Sequence, residues 1–154
     1  FLSVIIINTM NMKLIDCYNY VGNGYNPYLI VQGWQIAQLN YSEENKFYSI
    51  HKMDVHHQTD EAFILQKGTV VLIAARIEKN NITFELELLT KGKTYNIPAK
   101  CWHNLMMSEE AEVIIVENAN THLSDFEFYA LSPVQKNSLN QQVYELLKDN
   151  RIVL

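Results

Sequence analysis

Cysteine is scarce in this chain, and so is concentrated positive charge. Cys17 and Cys101 are the two thiols among 154 residues. They have neither the paired spacing of a metal finger nor the density of a disulfide-stapled secreted scaffold. Two free thiols fit a reducing cytoplasm, which is the expected location. Lysine and arginine number 12 against 17 acidic residues, for a formal charge of −5. No local basic cluster reverses that balance, so a nucleic-acid partner is not expected. Long apolar runs are lacking too. Val4-Ile5-Ile6-Ile7 is too short to span a bilayer, and it lacks the basic flank and cleavage site of a signal peptide. No membrane association is expected. Nor does a low-complexity linker or internal repeat divide the chain.

What remains is an ordinary globular composition, 48% hydrophobic and 19% charged, in a length that buries one core without staples. Phe1 is not an initiator, and Met10 or Met12 could open the biological chain. Residues 1–11 are therefore expected to be an extension. Residues 12–131 would form one β domain, and residues 132–154 a helix and tail.

Strand signals run from Tyr28 to about Leu131. Tyr28-Leu29-Ile30-Val31 and Trp34 to Leu39 are β-branched or aromatic runs around Gly33. Tyr41 to Asn45 is turn-like, and Lys46 to Met53 resumes an extended pattern. Ala62 to Leu65 and Thr69 to Ile77 flank Gly68. Glu78-Lys79-Asn80-Asn81 reads as a hairpin loop in which asparagine supplies any positive φ. Phe84, Leu86 and Leu88 alternate with Glu85 and Glu87, which places the two carboxylates on a solvated face. Trp102 to Met107 and Val113 to Glu117 are further strands. Many short strands with frequent turns imply a barrel or sandwich. The end differs: Ser132-Pro133 is a helix-start signal, and Leu139, Val143, Leu146 and Leu147 share one helical face. One amphipathic helix is expected from Pro133 to Lys148, packed outside the barrel or on a second subunit.

Two segments carry chemistry. The first is His56-His57-Gln58-Thr59-Asp60-Glu61, six residues, Gly68; the second is Gly92, five residues, Pro98, four residues, His103. Imidazoles and a carboxylate set on strands beside turns are what a divalent metal needs from a β-barrel. If His56 is the ligand, Asp54 lies two residues earlier on the same strand face and could add an oxygen. If His57 is the ligand, its same-face predecessor is Val55 and the set keeps three residues. The Thr-Asp-Glu spacing leans to His56.

The two segments together resemble the cupin superfamily over about residues 30 to 120. Its first motif runs His-x-His, a short spacer, Glu, six residues, Gly; its second runs Gly, five residues, Pro-x-Gly, two residues, His, three residues, Asn. Glu61 to Gly68 and Gly92 to Pro98 to His103 match that spacing without gaps. Thr59-Asp60-Glu61-Ala62-Phe63 looks like the wording of small single-domain bacterial cupins. The resemblance implies a mainly β fold, a cupin-like small β-barrel (double-stranded β-helix or jelly roll) with one C-terminal amphipathic helix. It also implies metal ligands among His56, His57, Glu61 and His103, with Asp54 as a further candidate. The departures are specific. The first family histidine falls on Asp54 or Val55, the glycine after the proline on Lys100, and the closing asparagine on Met107.

Two histidines and one carboxylate with open positions suit Fe(II), Mn(II), Ni(II) or Zn(II). Metal-dependent cupins include dioxygenases, isomerases and decarboxylases, so the resemblance selects no reaction. A small-molecule ligand in the barrel mouth and a homodimer are the implied partners. The other reading is a metal-free binding or sensing module, or a purely structural dimeric barrel. Trp34 and Trp102 read as core, and His51 and His122 as surface or satisfied core residues. Cys101 has no base placed beside it in sequence and reads as inert. Ile73, Phe84 and Leu105 are expected in the barrel interior.

Overall fold

The computed structural model describes residues 13–79 and 81–154. The expected extension over residues 1–11 therefore lies outside the described residues. The elements are β1 (Gly24–Val31), β2 (Trp34–Asn40), β3 (Lys52–Val55), β4 (Glu61–Lys67), β5 (Val70–Glu78) and β6 (Asn81–Leu88). They continue with β7 (Tyr95–Ile97), β8 (Trp102–Met107), β9 (Glu112–Glu117), α1 (Thr121–Ser124), β10 (Glu127–Ala130) and α2 (Pro133–Asp149). Two five-stranded antiparallel sheets result, ordered β1-β2-β9-β4-β7 and β10-β3-β8-β5-β6. The architecture is the expected mainly β, jelly-roll-like sandwich with a C-terminal helix.

Strand alternation sets which side chains enter the space between the sheets. β4 turns Glu61, Phe63 and Leu65 inward, and β9 turns Val113, Ile115 and Glu117 inward, with Phe63 opposite Ile115 in the ladder. The apolar members join Leu39, Leu72, Leu105 and Met107 in one buried cluster. The two carboxylates fall on the same inward faces. Strand geometry thus forces charge into the interior.

β5 is buried on both faces. Val70 and Leu72 face the other sheet, while Val71, Ile73 and Ala75 lie in a second cluster with Leu139, Val143 and Leu147 of α2. Ile73 and Phe84, expected inside the barrel, belong to this outer cluster; Leu105 is inside as expected. The physical reason is α2, which covers the sheet's outer face, so apolar alternation no longer marks a single interior. The helix itself starts as expected. The Ser132 side chain accepts from the Gln135 backbone N–H while the Gln135 side chain accepts from the Ser132 N–H, with Pro133 in the first turn.

Turns follow backbone demands. Gly68 has a φ of +77°, and a Cβ there would sit 2.6 Å from the Ala111 Cα, so both conformation and space require glycine. In the β5–β6 hairpin Lys79 adopts a φ of +55°, where asparagine was expected to supply it; Asn80 lies outside the described residues. The stretch expected as extended from Lys46 to Met53 becomes a strand only at Lys52. Tyr48, with a φ of +66°, turns the chain before it. Trp34, expected in the core, is 43% exposed. No described helix is long and apolar enough to cross a membrane.

Candidate metal centre

Three of the sequence-derived candidates meet. His56, Glu61 and His103 are all buried and offer ligand atoms within 4.8 Å of one another. β4 begins at Glu61 and points it inward, β8 carries His103, and His56 follows the end of β3. Asp54 and His103 are ladder partners, so the inward faces of β3 and β8 converge there.

Each imidazole is oriented by a carbonyl. His103 Nδ1 lies 3.0 Å from the Cys101 carbonyl oxygen, and His56 Nδ1 lies 2.5 Å from that of Asp125. A carbonyl only accepts, so both Nδ1 atoms carry the hydrogen and both Nε2 atoms of the neutral rings present lone pairs. Glu61 Oε2 lies 2.7 Å from His103 Nε2 and 3.2 Å from His56 Nε2. Oε2 is nevertheless a buried oxygen that accepts no hydrogen bond from the described residues. Three lone pairs converging in a buried space require a cation among them, either a proton or a metal. This orphaned oxygen and the two carbonyl-fixed imidazoles fit a metal of the first transition row.

Electrostatics agree with that requirement. Burial works against a charged imidazolium at His56, but Glu61 beside it more than offsets this and raises its pKa from 6.5 to about 9. His103 is raised for the same pair of opposed reasons. Burial alone would push Glu61 up; the two imidazoles instead hold it well below the usual carboxylate range.

The remaining candidates lie apart. His57 turns outward, its Nε2 3.0 Å from Glu127 Oε2 with the ring about half exposed. Asp54 lines the cavity outside the three-residue cluster, its Oδ1 buried without a hydrogen-bond partner among the described residues. Lys100, at the family's glycine position, has a φ of +68°, and its N–H donates to the His56 carbonyl at 2.6 Å. The fold thus keeps the left-handed backbone that a glycine would favour. Met107, in place of the asparagine, is buried in the inner cluster.

Other residues of the site have no motif to announce them. Asp125, on the loop between α1 and β10, accepts from the His57 and Gln58 backbone N–H groups at 2.8 and 2.9 Å while its carbonyl orients His56. Glu117 Oε2 lies 4.0 Å from His56 Nε2. Its Oε1 accepts from the Tyr25 hydroxyl and, at 2.9 Å, from the Gln35 amide. Gln35 is fully buried and in turn accepts from the Asn120 N–H at 2.7 Å. Burial raises the Glu117 pKa, with Glu61 adding to it. The period-two placement of Gln35 and Glu117 on apolar strands was the one available signal.

A cavity of about 340 Å³ opens from the cluster to solvent. Phe63, Leu105 and Ile115 line part of its wall. Phe126 and Phe128, 44% and 49% exposed, also line it, with ring centroids 5.5 Å apart and Lys52 Nζ 4.0 Å above the Phe128 ring. His51 and His122 line it as well. A buried donor set next to a cavity of this size can bind a metal and admit a small molecule beside it.

No family model matches the chain, and no curated protein does. Solved structures match at the level of fold. The Streptomyces protein PAC13, carrying a tyrosine-to-phenylalanine substitution and solved with uridine, is 7% identical with a TM-score of 0.51. That match covers 80% of this chain and 98% of PAC13. BH2720 from Bacillus halodurans is 13% identical with a TM-score of 0.50, covering 67% of this chain and 75% of BH2720. At these identities the likeness is one of architecture: the chain has a cupin-like fold.

Proposed function

We propose that this chain binds one divalent metal ion through His56, Glu61 and His103, and holds a small organic ligand beside it in the barrel mouth. The observation that carries the reading is Glu61 Oε2, buried without a hydrogen bond from the described residues, between two imidazole nitrogens whose lone pairs the backbone has aimed at it. A metal there would supply a Lewis acid with open positions, because three protein ligands leave room for water or substrate. His56 and His103 would bind through Nε2, and Glu61 through a carboxylate oxygen. Asp54, which lines the same cavity, would hold a water or ligand group outside the primary set. Fe(II), Mn(II), Ni(II) and Zn(II) all suit this donor set; the reaction, whether oxygenation, isomerisation or decarboxylation, is not selected by the donors.

The metal-free reading has one observation in its favour. The 2.7 Å contact between Glu61 and His103 is short enough for a proton to serve as the shared cation. Elemental analysis of protein purified without chelator or histidine tag separates the two. The metal reading expects a stoichiometric transition metal in the wild type and none in a folded His103→Ala variant. Metal retained by that variant would refute the ligand assignment.

A further inference from the structure

We propose that Glu117 is the specificity-determining residue of the cavity, receiving a hydroxyl of a small, uncharged, ring-bearing ligand. The proposal rests on the small-ligand reading above and adds to it the chemical class.

Glu117 is divided between two tasks. Its side chain is 2% exposed, and Oε1 takes both protein donors, the Tyr25 hydroxyl and the Gln35 amide. Oε2 accepts no hydrogen bond from the described residues and belongs to a side chain that lines the cavity 4.0 Å from His56 Nε2. A buried carboxylate that lines a cavity, with one oxygen clamped and the other without a donor among the described residues, is a fixed acceptor awaiting a donor. The clamp is itself held: Gln35 is fully buried and anchored by Asn120.

The charges around the cavity narrow the class. Among the described residues, Glu44, Asp54, Glu61 and Glu117 line it, against Lys52 as the one lysine and no arginine. Away from the proposed metal, a carboxylate or phosphate would lack the bidentate arginine clamp such groups usually meet. A hydroxyl needs none. Phe126 and Phe128 line the same cavity and are 44% and 49% exposed, and with Lys52 Nζ held over the Phe128 ring they offer aromatic surface that suits a planar ring.

Glu117→Gln gives a directional test. Tyr25 and Gln35 both donate at the Oε1 position, so the new amide must place its carbonyl there and turn its NH₂ into the cavity. The cavity group changes from acceptor to donor without a change of shape. Benzyl alcohol and benzoate are the probes, titrated by ligand-observed NMR at pH 8 into the full chain loaded with zinc. The wild type is expected to bind benzyl alcohol. In Glu117→Gln the ratio of affinities should move toward benzoate by about tenfold, the scale of one hydrogen bond to a charged group. Tyr25→Phe, a milder change on an edge strand, should move the ratio the same way by less, and serves if the first variant does not fold. An unchanged ratio, a shift toward the alcohol, or no binding of either probe to the zinc-loaded wild type overturns the proposal. Zinc that fails to load counts instead against the metal reading, and the ratio is then measured on the metal-free chain.

Discussion

The two histidines of the cluster are held in different ways. His103 sits within β8, and the carbonyl that orients it belongs to Cys101, two residues earlier. His56 lies beyond the end of β3, and its orienting carbonyl belongs to Asp125, 69 residues later. One imidazole is fixed by its own strand and the residue just before it. The other depends on a loop whose own position rests on Asp125 accepting from the backbone of His57 and Gln58. A site built this way has a local half and an assembled half, and the assembled half is where metal affinity should be tunable.

The largest expected effect is on the local half. His103→Ala removes a proposed ligand and should abolish stoichiometric metal while circular dichroism shows a folded chain. Asp125→Ala keeps every ligand but frees the segment that aims His56. Metal affinity should fall by about 10- to 100-fold in a calorimetric titration, the usual scale for losing an orienting partner. An unchanged affinity would mean that both halves are equally local.

A pH series sharpens the comparison next. In the metal-free protein the His56 pKa is raised from 6.5 to about 9, so its stabilising contribution is complete below about pH 6.5 and is lost as pH rises through about 9. Glu61 is lowered, so its contribution is present above its ordinary 4.5 and lost as pH falls through the depressed value. Melting temperature without metal should therefore decline from pH 6.5 to 9. Zinc should reverse the decline, because metal replaces the bound protons. A zinc-independent profile would contradict it.

Smaller effects test the frame around His56. Lys100→Gly relieves a left-handed backbone at the residue that donates to the His56 carbonyl, and should stabilise by about 1 kcal/mol in denaturant unfolding. His57→Ala removes an exposed pair with Glu127 and should leave metal stoichiometry intact, with stability changed by less than about 1 kcal/mol.

This asymmetry also explains what the sequence could show. The local half was readable: Glu61 to Gly68 and Pro98 to His103 fix residues along single strands and turns, and the period of two then decides which way they face. Whether His56 or His57 turns inward was less so, because both lie past the strand end, where alternation stops. A carbonyl 69 residues away orients His56, and Glu127 engages His57 outside. Glu117, Tyr25 and Gln35 come from β9, β1 and β2, and only sheet pairing brings them together. Ile73 and Phe84 were misplaced for a related reason. A helix that covers a sheet makes its outer face apolar, and one strand cannot show which of two apolar faces encloses the cavity.

Calorimetric titration of zinc into the chelator-stripped chain, beside the same titration of Glu61→Gln, tests the central claim most directly. Glu61 is the oxygen that both imidazoles converge on. One zinc per wild-type chain is expected, with release of protons at pH 7, and no comparable binding to a folded Glu61→Gln. A wild type that takes up no zinc, or a variant that binds it equally well, would rule out a metal held by Glu61.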